Sequence, residues 1–402
     1  MIEKGRLKIK DVLEELNKEE INTWFDLGLF LDRFKERKFK PAFEGDAKAF
    51  DRYLEKGGLA FITFYYTIDG ITVETEKYAK TFKNIYPEIP IHFIAGEIKE
   101  EAEELIPEGS FKKVIPQMEA FDAWPLYEDF FKIKMERGSV EYNELIGKFW
   151  NEVLFLVEAL GYYIEENDIA LLYLINVCSN PGNVSLALAT VLISEYLGLP
   201  VINNNHDFYW EGGNREVEIK KKGLKRGPRD FFFHNSHVGE FFSLIEMVYP
   251  WESRSWMNMN INRIQQNHLI NVNGHNPANV ALIGTAVDMK SHRMSKRDII
   301  KAFMQVSSNF ANKKDTITVH TAARHTKSER SLKPILLGYK TVKKFDFVNN
   351  NIVFLQPTRV ISRKSIELNF KLIKRLFSYE SFYEKFITNP QLKLSLIVSG
   401  PI

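Results

Sequence analysis

Three stretches of this chain carry residue types at spacings that could do chemistry. In PTRVISRKSIE, Arg359, Arg363 and Lys364 follow the apolar run Ile352 to Leu355. Ser362 reads as the N-cap of a helix whose buried face is Ile366, Phe370, Ile373 and Phe377, at i, i+4, i+7 spacing. That places Arg363 and Lys364 in the first turn and Arg359 just ahead of it. The helix macrodipole disfavours cations there by about 0.3–1 kcal/mol each. An anion at the helix start reverses the sign, because backbone N–H groups and cations then converge on it, and a phosphate or diphosphate is the natural candidate. Charge alone leaves equally open three solvated basic side chains that turn away from the helix end.

The second stretch is Asn203-Asn204-Asn205-His206-Asp207-Phe208-Tyr209-Trp210-Glu211-Gly212-Gly213. His206 follows a predicted strand at Val201-Ile202, the position where α/β sheets hold their ligands. Its neighbours suit a sugar: Asn, Asp207 and Glu211 for hydroxyls, Tyr209 and Trp210 for ring faces. Aromatics as core with His206 as a cap is the other reading. The third stretch, His234-Asn235-Ser236-His237, has no carboxylate or cysteine at ligand spacing, so no metal site is expected there. The preceding basic run, residues 214–230, reads as a solvated loop or as a flap that attracts an acidic acceptor.

These residues need a scaffold of alternating strands and helices. Leu59 to Tyr65 is a predicted strand, followed by a loop that contains Gly70 and by a helix from Val73 to Phe82. Ile89 to Ala95 and Ile169 to Val177 are further strands, the latter apolar throughout as a fully buried parallel strand is. Residues 99–165 read as mainly helical, with Trp150, Val153, Leu154 and Val157 as a core stripe. A helix from Val184 to Tyr196, a strand at Phe231 to Phe233 and a helix from Ile261 to Leu269 follow. After a hinge at Asn271 to Pro277 come a helix at Lys296 to Phe310, the strand before Arg359, and a strand at Leu392 to Val398. The pattern is α/β. Three parts are expected: an N-terminal helical addition over 1–58, a Rossmann-like domain over 59–272, and a partial second Rossmann-like domain over 273–402. Neither G-x-G-x-x-G nor a Walker A loop occurs.

Arg359 and Lys364, as R-x4-K directly after a strand, resemble the donor-diphosphate loop of the retaining glycosyltransferases of family four. The resemblance spans roughly residues 59–402. Ala281-Leu282-Ile283-Gly284-Thr285-Ala286-Val287-Asp288 is similar to the family's I-P-N-G-V-D turn, with Gly284-Thr285-Ala286 in place of P-N-G. The resemblance implies a GT-B fold, two Rossmann-like domains facing a cleft. It also implies transfer of a sugar from a nucleotide-diphosphate sugar to an acceptor hydroxyl with retention. Arg359 and Lys364 would stabilise the leaving diphosphate, His206 would lie beside the donor sugar, and Gly70 would lie near the acceptor. No cofactor is implied beyond the nucleotide sugar as co-substrate. No D-x-D pair occurs, and the cations take the place of a metal. The family's second domain continues through several more βα units, so a fragment of a longer protein is expected. The alternatives are a non-catalytic sugar- or nucleotide-binding subunit and another α/β enzyme acting on a phosphorylated sugar.

The totals agree with a soluble, two-domain chain. It has 402 residues, 45% hydrophobic and 26% charged, with a net charge of +2. That balance provides no overall field for nucleic acid. No apolar run approaches the ~20 residues of a membrane span. The single cysteine, Cys178, fits a reducing cytosol, so a cytoplasmic location is expected. The basic tract at 289–350, with His320, Arg324, His325 and Lys327, has no assigned role.

Overall fold

The computed structural model describes residues 7–131, 133, 135–211, 239–285, 295, 297–298, 301, 351–356, 365–389 and 392–398. The chain divides into two compact units, Met1–Val287 and Asp288–Ile402. The first contains α1 (Ile9–Leu16), α2 (Trp24–Glu36), α3 (Ala47–Gly57), β1 (Leu59–Ile62), β2 (Tyr65–Tyr66) and α4 (Gly70–Ile85). Then come β3 (Ile91–Ala95), β4 (Glu97–Ile98), β5 (Phe111–Val114), α5 (Tyr127–Phe131), α6 (Val140–Glu166), β6 (Leu171–Ile175) and α7 (Val184–Leu197). The unit closes with β7 (Val201–Asn205), α8 (Gly239–Val248), β8 (Trp256–Asn260), α9 (Arg263–Asn271) and β9 (Val280–Leu282).

Seven strands form one sheet in the order β5-β3-β1-β6-β7-β8-β9. Every pair in it is parallel. The chain runs outward from β1 through β3 to β5, then returns to β6 on the other side of β1. The strand order therefore reverses between β1 and β6, the point where a doubly wound sheet opens to ligands beyond its strands' C-terminal ends. The α/β class expected from the sequence is the class found.

Side-chain alternation builds a core on each face. Ala60, Ile62, Leu172, Leu174, Val201 and Trp256 pack with residues of α1, α2, α6 and α7. Leu59, Phe61, Phe93, Leu171 and Tyr173 pack with Leu54 of α3 and Ala79 of α4. Helix α7 is buried along its whole length. Asn183 caps it by accepting the Leu186 N–H at 2.8 Å, and Gly198 ends it at φ 64°. The N-terminal helices share the core of α6 and α7 through Ile9, Val12, Trp24, Leu27 and Phe30.

Several expectations are corrected. The 99–165 region is less helical than it reads: it holds the edge strand β5, and its long helix starts only at Val140. Strand β7 runs on through Asn205 because its backbone ladders with β6 and β8 extend past Ile202. Strand β8 has no counterpart in the sequence reading. Strand β9, placed after the expected hinge, pairs with β8 in the first sheet. The expected strand at Phe231 to Phe233 lies outside the described residues, as does most of the Lys296 to Phe310 helix.

In the second unit, β10 (Asn351–Gln356) pairs in parallel with β11 (Lys393–Val398). Between them come α10 (Glu367–Phe377) and α11 (Glu380–Thr388). This is the βα arrangement read from Ile352 to Phe377, with the helix start corrected. Ser365 has φ 47°, Ile366 is the N-cap and α10 begins at Glu367; Ser362, Arg363 and Lys364 lie outside the described residues. The expected buried face is only partly buried, and Phe370 is 63% exposed. Phe377 packs against Phe382 and Phe386 of α11 at 5.3 and 4.8 Å between ring centroids.

Candidate functional site

The C-terminal ends of β7 and β8 are built from carboxamides. Asn203 and Asn205 lie opposite Asn258 and Asn260, and all four are completely buried. Asn203 Nδ2 donates to Asn258 Oδ1 at 2.8 Å. Asn258 Nδ2 donates to the Trp251 carbonyl at 3.0 Å, and Asn260 Nδ2 to the Ala281 carbonyl at 3.2 Å. Both carboxamide atoms of Asn205 have no hydrogen-bond partner among the described residues, and neither do Oδ1 of Asn203, Asn204 and Asn260. A buried polar atom left this way costs about 1–3 kcal/mol. Such atoms ordinarily find a partner in protein, ordered water or ligand.

His206 follows directly, and its main chain is pinned from two sides. Asn176, just past β6, accepts from the N–H groups of His206 at 2.8 Å and Asp207 at 3.1 Å. Asn176 sits at φ 61°, in the left-handed region that asparagine tolerates better than most residues. The His206 carbonyl accepts from Gln265 Nε2 of α9 at 3.1 Å. The imidazole Nε2 stands 3.7 Å from Glu74 Oε2 of α4, beyond hydrogen-bond range. Glu74 is 3% exposed and accepts the Tyr78 O–H at Oε1, 2.6 Å away. Asn204 Nδ2 donates to the Tyr173 hydroxyl at 3.3 Å. Burial raises the phenols of Tyr78 and Tyr173 far above the ordinary tyrosine range, so both remain O–H donors.

The structure thus brings His206, Asp207 and Glu211 onto one loop beyond β7. Glu211 turns inward: its Oε2 accepts from the Phe208 N–H at 2.9 Å and from Gln265 Nε2 at 2.8 Å. Trp210 stacks on Phe208 and His268 at 4.0 and 4.4 Å, so protein rings occupy the aromatic surface that reads as a sugar platform. Gly70 opens α4, one turn before Glu74, and is exposed. A Cβ there would meet nothing within 4 Å, so space does not require glycine. Arg359 and Lys364 lie outside the described residues, as do His234 and His237. Sequence reasoning missed Glu74, Tyr78, Tyr173, Asn176 and Gln265. The one available signal was a glutamate on the inward face of α4, beside Thr75 and Tyr78. Among the described residues, no group of three or more His, Cys, Asp or Glu side chains could hold a metal ion. No helix there is long and apolar enough to cross a membrane.

A doubly wound parallel sheet with a polar, histidine-bearing rim at its C-terminal ends defines the class of the first unit. No protein-family model matches the chain, and no curated protein matches it. A solved structure of Anabaena Alr3699/HepE in complex with UDP and glucose is similar at 12% identity, over 85% of this chain and 69% of its own, with a TM-score of 0.41. A glycosyltransferase from Rickettsia africae ESF-5 is similar at 11% identity, over 86% and 69%, with a TM-score of 0.39. Phytolacca americana UGT2, complexed with UDP-2fluoro-glucose and pterostilbene, is similar at 9% identity over 62% and 57%, with a TM-score of 0.32.

Proposed function

We propose that this protein is a glycosyltransferase that moves a sugar from a nucleotide-diphosphate sugar to an acceptor hydroxyl, with retention and without a metal ion. The observation that carries the reading is the place of His206: at the C-terminal end of a central strand, with its main chain fixed by Asn176 and Gln265, beside a rim of buried carboxamides. Carboxamides both donate and accept, as sugar hydroxyls do, and the carboxylates of Glu74, Asp207 and Glu211 give the rim the wrong sign for phosphate. The sugar therefore belongs at this rim, and the diphosphate belongs with Arg359 and Lys364. Those two cations offset the charge that builds on the leaving group as the glycosidic bond breaks. The departing phosphate takes the acceptor's proton during same-face attack. The acceptor lies on the α4 side, near Gly70.

Calorimetry with nucleoside diphosphates and their sugar esters, followed by proton NMR of the product's anomeric configuration, tests this. Binding followed by turnover with retention is expected. Arg359→Ala and Lys364→Ala each lower kcat by about 10²-fold or more. Binding without turnover in the presence of acceptors would favour a binding subunit instead, and inversion would remove the family-four mechanism.

A further inference from the structure

Glu74 occupies the inner face of α4, where an apolar side chain would pack without the penalty of removing a carboxylate from water. The Tyr78 O–H fixes one of its oxygens. The other faces His206 Nε2 at 3.7 Å, and Nε2 is itself buried without a hydrogen bond among the described residues. Because hydrogen bonds at both its N–H and its C=O hold the His206 main chain, the side-chain torsions are its remaining freedom.

We propose that Glu74 is the positioning residue for His206: its carboxylate takes the Nε2–H and turns Nδ1, as an acceptor, toward a hydroxyl of the bound sugar. This rests on the transferase reading above. A carboxylate oxygen accepts, so the pairing puts a proton on Nε2, and in the Nε2–H tautomer the lone pair stands at Nδ1. A small rotation of the ring closes 3.7 Å to bonding distance, and such bonds often tighten only when ligand arrives. Tyr78 completes the arrangement, because its hold on Oε1 fixes the direction of Oε2. The ligand group selected is a hydroxyl donor, in keeping with the acceptor oxygen of Asn204, which lies on the α4 face of the sheet and has no partner among the described residues.

The test compares full-length wild type with Glu74→Leu, Glu74→Gln and Tyr78→Phe. Long-range ¹H–¹⁵N spectra of labelled histidine report the His206 tautomer, thermal midpoints report the fold, and steady-state kinetics use whichever sugar nucleotide the wild type turns over. The wild type is expected to hold the Nε2–H tautomer. Glu74→Leu should mix the tautomers and lower kcat by roughly 10–100-fold, with KM for the donor little changed and the midpoint kept or raised. A lowered midpoint with unchanged tautomer and kcat would make Glu74 merely structural and overturn the proposal. Should Glu74→Leu fail to fold, Glu74→Gln decides: its amide N–H can donate to Nε2 and drive the proton to Nδ1. Tyr78→Phe is expected to weaken the preference in the same direction, and an unchanged tautomer in every folded variant overturns the pairing. A Glu74-dependent tautomer in a protein that turns over no sugar nucleotide supports the pairing and overturns the transferase reading instead.

Discussion

Asn176 joins the ends of two central strands through one oxygen, which accepts from His206, Asp207 and the Ser179 hydroxyl. Asn176→Gly keeps the left-handed backbone and loses the clamp, whereas Asn176→Ala loses both. We expect losses of roughly 2 kcal/mol for Gly and about 1 kcal/mol more for Ala, read from urea midpoints. At the other end of the sheet, His92 on β3 stacks on Phe111 at 4.7 Å, and its Nδ1 meets the Tyr163 hydroxyl at 2.9 Å. Burial lowers its pKa from 6.5 to about 4. The unfolded chain therefore takes up this proton first. Stability contributed by neutral His92 is fully present above pH 6.5 and is lost as pH falls toward 4. The loss is on the order of 3 kcal/mol, and His92→Asn should flatten that part of a stability–pH curve.

At the scale of elements, the αL end of α7 is the sharpest constraint. A Cβ on Gly198 would stand 2.1 Å from the Lys40 carbonyl oxygen, so Gly198→Ala should cost at least ~2 kcal/mol in a denaturant titration. Helix α7 and strand β6 were legible in the sequence because α7 is largely apolar, β6 is apolar throughout, and both are bounded by turn residues. Strands β7 and β8 were much less so. VINNN and WMNMN place asparagine on a core-facing position, which strand propensity disfavours, and only ladder hydrogen bonds to neighbouring strands keep those residues extended. Edge strand β5 is short, and both Phe111 and Val114 are exposed, so it leaves no buried run to read. His206 was legible as a candidate from its place after a strand. Its partner Glu74 was not, because a contact between α4 and the β7 loop follows from the topology, and no local pattern announces it.

At the scale of the molecule, the two compact units predict separable folding. Residues 1–287 hold the whole seven-stranded sheet and the cores on its two faces. We expect that fragment alone to unfold in one cooperative urea transition whose m-value fits its size, at a midpoint matching one phase of the full chain. A non-cooperative transition would mean that the first unit depends on residues beyond 287. The carboxamide rim and the Glu74–His206 pair lie wholly within the first unit.

Cys178 lies against α7, with Sγ 3.8 Å from the Ala187 carbonyl oxygen, and is completely buried. Burial pushes its thiol up to about 12, so it is protonated as well as shielded. As the chain's sole thiol, it is a built-in clock for opening: an alkylating reagent can reach it only when the centre of the first unit comes apart. Labelling rates that follow the global free energy, with no faster local route, are the signature of a helix that has no outer side.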